Sequence, residues 1–238
     1  MTRALALGMA SLATLCMAAP SFAQVKPVAS APTNWKDVTL DLARRLKSLL
    51  ELQGATVVLT RDDDRVLPLD DRTAIANHNR AVLFISLHMN ASKRKTAVGA
   101  ETYFLATAAT DAEARTLAGL ENKAYESPDA VQAATPEAPP DRGLELILWD
   151  LAQNSVLAES SRLAESVQTE LNTATGVRDR GVRQAPFRVL MGATMPAILI
   201  EAGFISNPEE EARFKDDAYK DKVAEAIARA VASITARP

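Results

Sequence analysis

Two short apolar runs stop abruptly on a polar side chain, and they constrain the fold more than any other feature of this sequence. Ala81 to Leu87 reads AVLFISL and breaks into His88, Met89 and Asn90; Ala197 to Ile200 reads AILI and breaks into Glu201, Ala202 and Gly203. Runs of four to seven apolar residues bounded by turn-forming residues are the mark of strands buried on both faces, which occur in sheets covered by helices on either side. Ligand sites in open α/β sheets form at the carboxyl ends of strands, where His88 and Glu201 stand. An imidazole and a carboxylate on adjacent strand ends suit a zinc ligand and a general base, because Zn²⁺ takes neutral nitrogen donors and its bound water needs a base. The same pair is equally met by a half-buried structural histidine and a helix-capping carboxylate, so the two residues alone leave the choice open.

The remaining pattern supplies the helices. Val38, Leu42, Leu46, Leu49 and Leu50 recur at helical spacing from Lys36 to Gln53, with Gly54 as the stop. ATVVLT at 55–60 reads as a strand, a helix follows Pro68 over 70–79, and GAETYFLA at 99–106 alternates as a strand. Thr110 and Glu113 form a capping-box pattern for a helix through Tyr125. A long amphipathic helix is expected over 144–171, a loop over 180–186, and short strands at 187–190 and 197–200. Asn207 caps a helix that opens on Pro208, and Val223, Ile227, Val231 and Ile234 place the last helix. Alternating strands and helices predict an α/β three-layer sandwich with a mostly parallel or mixed sheet between helices.

Domain organisation is read from the N-terminus. Arg3, the apolar run from Ala4 to Ala19 and the small residues around Ala23 have the order of a secretory signal peptide over 1–23, since a spanning helix needs about 20 apolar residues. The segment 24–35 reads as an extended linker and 36–238 as the folded domain, with a Pro-rich inserted loop at 127–142. Cys16 is the single cysteine and lies within the expected signal, so the processed chain is expected to carry no disulfide and to work in the periplasm or cell envelope. With 47% hydrophobic and 24% charged residues and a net charge of −3, the chain has neither a disordered composition nor the basic excess that nucleic-acid binding needs. No nucleic acid and no membrane span are expected.

Seven blocks of this sequence, in order, resemble the zinc-dependent N-acetylmuramoyl-L-alanine amidases of the Amidase_3 type: KDVTLDLA from Lys36, VVLTR from Val57, DRTAIAN from Asp71, FISLHMNA from Phe84, GAETY from Gly99, RGVRQA from Arg180, and PAILIEAGFISNPEE from Pro196. The resemblance implies hydrolysis of the amide between the lactyl group of muramic acid and L-alanine in peptidoglycan. It implies a Zn²⁺ cofactor that polarises the carbonyl and lowers the pKa of its water, with a glutamate taking and returning the proton. On the matching positions, His88 is a zinc ligand and Glu201 the catalytic glutamate.

The sequence departs from that family at its start. The strand running into an Asp-Pro-Gly-His-Gly-Gly motif, which carries one ligand histidine, is not recognisable, and Trp35 stands where a ligand glutamate is expected. The fold is therefore expected to be short of its first strand. Only His88 remains of three family ligands, and a catalytic zinc ordinarily has three protein ligands plus water, so zinc binding is not expected to be tight. Three readings result, in order: a family member inactive as written, a secreted pseudoenzyme that binds peptidoglycan or regulates active amidases, and an active enzyme with other ligands. His78 enters the strand of His88 from the opposite end and is too distant to substitute. Glu101 reads as a structural or rim-lining residue.

Overall fold

The computed structural model describes residues 14–18, 35–123 and 143–235, with side chains over 36–123 and 155–235. In chain order the elements are β1 (Thr14–Ala18), α1 (Trp35–Leu52), β2 (Thr56–Leu59), α2 (Leu69–His78), β3 (Leu83–Asn90), β4 (Ala100–Leu105), α3 (Ala112–Lys123), α4 (Gly143–Thr175), β5 (Asp179–Ala185), a 3-10 turn (Arg188–Leu190), β6 (Ala197–Phe204), α5 (Pro208–Lys215) and α6 (Asp217–Thr235). The six strands form one sheet in the order β2-β1-β3-β6-β4-β5. The block β2, β1, β3 and β6 is parallel; β4 runs antiparallel to β6, and β5 lies parallel to β4. The mixed three-layer sandwich expected from the sequence is the fold observed.

Strand periodicity sorts the core into two halves, since successive side chains point to opposite faces. Ile85 and Leu87 of β3 and Ile198 and Ile200 of β6 pack with Leu42, Leu46 and Leu50 of α1, Leu163 and Val167 of α4, and Ile227 and Val231 of α6. Phe84, Tyr103 and Leu199 face the other way, against Leu69 and Ala76 of α2, Ala114 and Ala118 of α3, and Phe187. Both faces of the sheet are thus closed, as the uninterrupted apolar runs require.

Several expectations need correction. The position for which no strand is recognisable in the sequence is filled by β1, from the run that reads as a signal peptide; it lies between β2 and β3. The segment expected as a loop from Arg180 to Pro186 is β5, because an edge strand can carry polar side chains and a glycine where one side meets water. Phe187 to Leu190 is a 3-10 turn and not a strand, its Leu190 N–H bonding to Phe187 O. At the start of α3, Asp111 and not Thr110 accepts from the first-turn amide of Ala114; Thr110 Oγ1 takes the Gln184 N–H instead. Helix α1 also begins at Trp35, one residue inside the expected linker. The proline-rich stretch at 127–142 lies outside the described residues, and among the described residues no helix is long and apolar enough to cross a membrane.

The junction beside the antiparallel pair is held by one buried carboxylate. Glu210 Oε1 accepts from Gly99 N at 2.8 Å and Oε2 from Phe204 N at 2.6 Å, joining the entry of β4 to the end of β6. Gly99 has φ +108° with a Cβ position only 2.2 Å from Arg178 O, so no other residue fits there. Asn207 caps α5 as expected, its Oδ1 accepting from the amides of Glu209 and Glu210, and this aims Glu210 inward. Replacing Glu210 by Ala leaves two buried amides unsatisfied and is expected to cost about 2–5 kcal/mol in chemical denaturation; a loss below about 0.5 kcal/mol would refute the role assigned to this clamp.

Candidate functional site

The register of the parallel pair puts His88 directly beside Glu201. His88 shares the face of Phe84 and Ser86 on β3, and Glu201 that of Ala197 and Leu199 on β6, so both project toward α2 and α3 rather than toward α1, α4 and α6. The antiparallel partner adds a third acidic group on the same face, Glu101 being paired with Glu201 across β4 and β6. All three side chains are buried.

Their surroundings differ. Glu101 is held on both oxygens: Asn90 Nδ2 donates to Oε1 at 2.9 Å and Arg180 Nε to Oε2 at 3.0 Å. Arg183 approaches the same Oε2 at 3.6 Å, and both arginines continue to Glu113 of α3. Glu101 is therefore an anchor between the sheet and α3. His88 Nε2 lies 2.9 Å from Ser86 Oγ, and its Nδ1 stands 3.2 Å from Oε2 of Glu121 on α3. Among the described residues Glu201 has no hydrogen-bond partner on either carboxylate oxygen, although the residue is fully buried. Burial, reinforced by the negative charges of Glu121 and Glu101, raises its pKa well above the ordinary 4.5.

A buried carboxylate with both oxygens unsatisfied is expensive unless it is neutralised or bound to a cation. One ligand atom each from His88, Glu121 and Glu201 lies within 4.8 Å of the others, and among the described residues this is the group able to share one metal ion. One imidazole and two carboxylates are donors that zinc accepts. By its donor chemistry and its orphaned oxygens, the site fits a divalent metal.

Of the residues singled out in the sequence, His88 and Glu201 are brought together, while His78 is exposed at the end of α2, by the entry to β3 and away from His88. Asp62, Asp63 and Asp64 are exposed on the loop after β2, as a solvated stretch should be. Glu121 is the member of the site that sequence reasoning missed. Its signal was present, because the buried residues of α3 are Ala114, Ala118 and Glu121, a single helical stripe on which the last position is a carboxylate rather than an apolar residue.

A mixed sheet of this order with a histidine and a glutamate at neighbouring strand ends defines an α/β protein with a candidate metal site, and comparison with known proteins narrows the class. The chain belongs to the N-acetylmuramoyl-L-alanine amidase family, Amidase_3, whose profile matches residues 27–233. It is 35% identical over 199 residues to the N-acetylmuramoyl-L-alanine amidase AmiA of Escherichia coli K12, covering 83% of this chain and 67% of that protein. To AmiC of Escherichia coli O6:H1 it is also 35% identical, over 82% of this chain but 46% of the relative, so it spans less than half of that protein. Among solved structures, the N-acetylmuramoyl-L-alanine amidase from Clostridium difficile 630 superposes with a TM-score of 0.68 at 28% identity, covering 95% of this chain and 98% of the other. The catalytic domain of CwlV from Bacillus (Paenibacillus) polymyxa does so with a TM-score of 0.68 at 25% identity, covering 94% and 99%.

The unpartnered Glu201 predicts a pH signature in the metal-free protein. With its folded-state pKa raised, Glu201 stays neutral in the fold while the unfolded carboxyl ionises near its ordinary value, so stability is full below about 4.5 and is lost as pH rises toward the folded pKa. Glu201→Gln removes that cost. The variant is expected to be more stable than the parent at pH 8 and to match it near pH 4; equal denaturation midpoints at pH 8 would contradict a buried, unsatisfied carboxyl.

Proposed function

We propose that this chain is a cell-envelope member of the amidase family directed at peptidoglycan, shaped for the amide between the lactyl group of muramic acid and L-alanine. In this sequence its site takes a divalent metal without completing hydrolysis. The observation that carries the reading is the trio His88, Glu121 and Glu201, with both oxygens of Glu201 unpartnered. Bound zinc would polarise an amide carbonyl and lower the pKa of a water.

The chain's own residues restrict how far that chemistry can go. Ser86 holds the His88 ring through Nε2, leaving Nδ1 toward Glu121. For a water to be activated, Glu201 must keep its carboxylate off the metal and accept the proton, which leaves His88 and Glu121 as the donors. Two protein donors are fewer than a catalytic zinc ordinarily has. If Glu201 serves as third donor, the base is gone. Access sharpens the conflict: His88 and Glu201 on the sheet and Glu121 on α3 are all buried, and any withdrawal of α3 that admits an amide takes Glu121 with it.

The same closure favours a second reading in which the protein binds peptidoglycan, or regulates active amidases, as a secreted pseudoenzyme. Calorimetric titration of the full chain with Zn²⁺ is expected to show one site, lost with His88→Ala and weakened at least about tenfold by Glu121→Gln. Incubation with purified sacculi is expected to release no peptide, while co-sedimentation persists. Peptide release abolished by Glu201→Gln would instead establish an active amidase, and absence of zinc binding would reject the proposed site.

A further inference from the structure

The most consequential segment outside the site is β1, because the sequence offers it a different use. As the hydrophobic part of a signal peptide, residues 14–18 would be removed by cleavage after Ala23. In the fold they are a central strand. Thr14, Leu15, Cys16 and Met17 pair with Thr56, Val57, Val58 and Leu59 of β2, while Leu15, Cys16, Met17 and Ala18 pair with Leu83, Phe84, Ile85 and Ser86 of β3. Among the described pairings β2 has no other strand partner, so β1 alone attaches it to the sheet. Removing β1 would leave β2 and β3 about two strand spacings apart, roughly 9–10 Å, with a row of unpaired backbone groups on each. Buried amides and carbonyls are not left so, and α1, packed over both strands through Leu42, Leu46 and Leu50, would have to move by a full strand width to close the gap.

We infer that Thr14–Ala18 is a retained structural strand of the folded protein, and that a chain from which this segment has been lost cannot complete its sheet. A strand paired on both edges and a leader that is cut away are uses of one segment that exclude each other in the same molecule. This does not depend on the chemistry assigned to the site.

Hydrogen exchange on the full chain tests it, with two substitutions at one position. Cys16→Pro removes a ladder donor from the centre of a parallel strand, where proline is not accommodated; Cys16→Val keeps a good strand former. The parent and Cys16→Val are expected to protect the amides of 56–59 and 83–86 alike. Cys16→Pro is expected to exchange them at least about tenfold faster, or to unfold altogether. As a second measurement, a site-specific protease sequence inserted after Ala23 of the purified full chain is cut, and the freed N-terminal peptide is expected to co-elute with the domain on gel filtration. Unchanged protection in Cys16→Pro, or a peptide that separates and leaves a domain with the parent's melting midpoint, would overturn the inference.

Discussion

The rung that pairs His88 with Glu201 governs the rest of the site. Parallel neighbours in register point the same way, so fixing His88 against α3 also fixes Glu201 there. A shift of one residue in either strand would send one of the two into the apolar layer beneath α1, α4 and α6. The apolar side chains of β3 and β6 prevent such a shift: Ile85, Leu87, Ile198 and Ile200 must all face that layer at once. Packing on one face of the sheet therefore sets the chemistry on the other. Glu101 completes the arrangement from the antiparallel side, and its two hydrogen bonds leave Glu201 as the unsatisfied member of the pair.

How much of this was legible in the sequence depended on whether the signal was local. The buried strands, the long helices and the Asn207 cap follow from periodicity and from side-chain chemistry acting over a few residues. His88 and Glu201 could be found because each interrupts an apolar run. Glu121 could not be placed beside them from spacing, since its meeting with His88 depends on how α3 lies across the sheet and not on distance along the chain. The polar strand β5 escaped notice for a related reason: most of its residues are intermediate or exposed, and its strand conformation is imposed by pairing with β4. At Thr14–Ala18 the sequence reads as part of a signal peptide, and the strand conformation there comes from backbone pairing with β2 and β3, which no local pattern announces.

The contacts that hold the site together are separable from the metal chemistry proposed for it. Glu101, Arg180 and Arg183 bind the sheet to α3, and Glu210 with Gly99 binds the entry of β4 to the end of β6, none of them requiring a metal. A chain retaining these contacts keeps β4, β5, β6 and α3 joined whatever occupies the site. The family match over 27–233 is accordingly a statement about architecture first, with the chemistry resting on far fewer residues.

The position of β1 has a consequence in time. Its partners on either side are residues 56–59 and 83–86, neither of which exists when the N-terminus leaves the ribosome. A strand made first and secured last spends synthesis as an unpaired apolar tail, open to any cellular receptor that recognises such tails. The order in which this sheet is completed therefore differs from the order in which it is made, a central strand waiting for both of its neighbours.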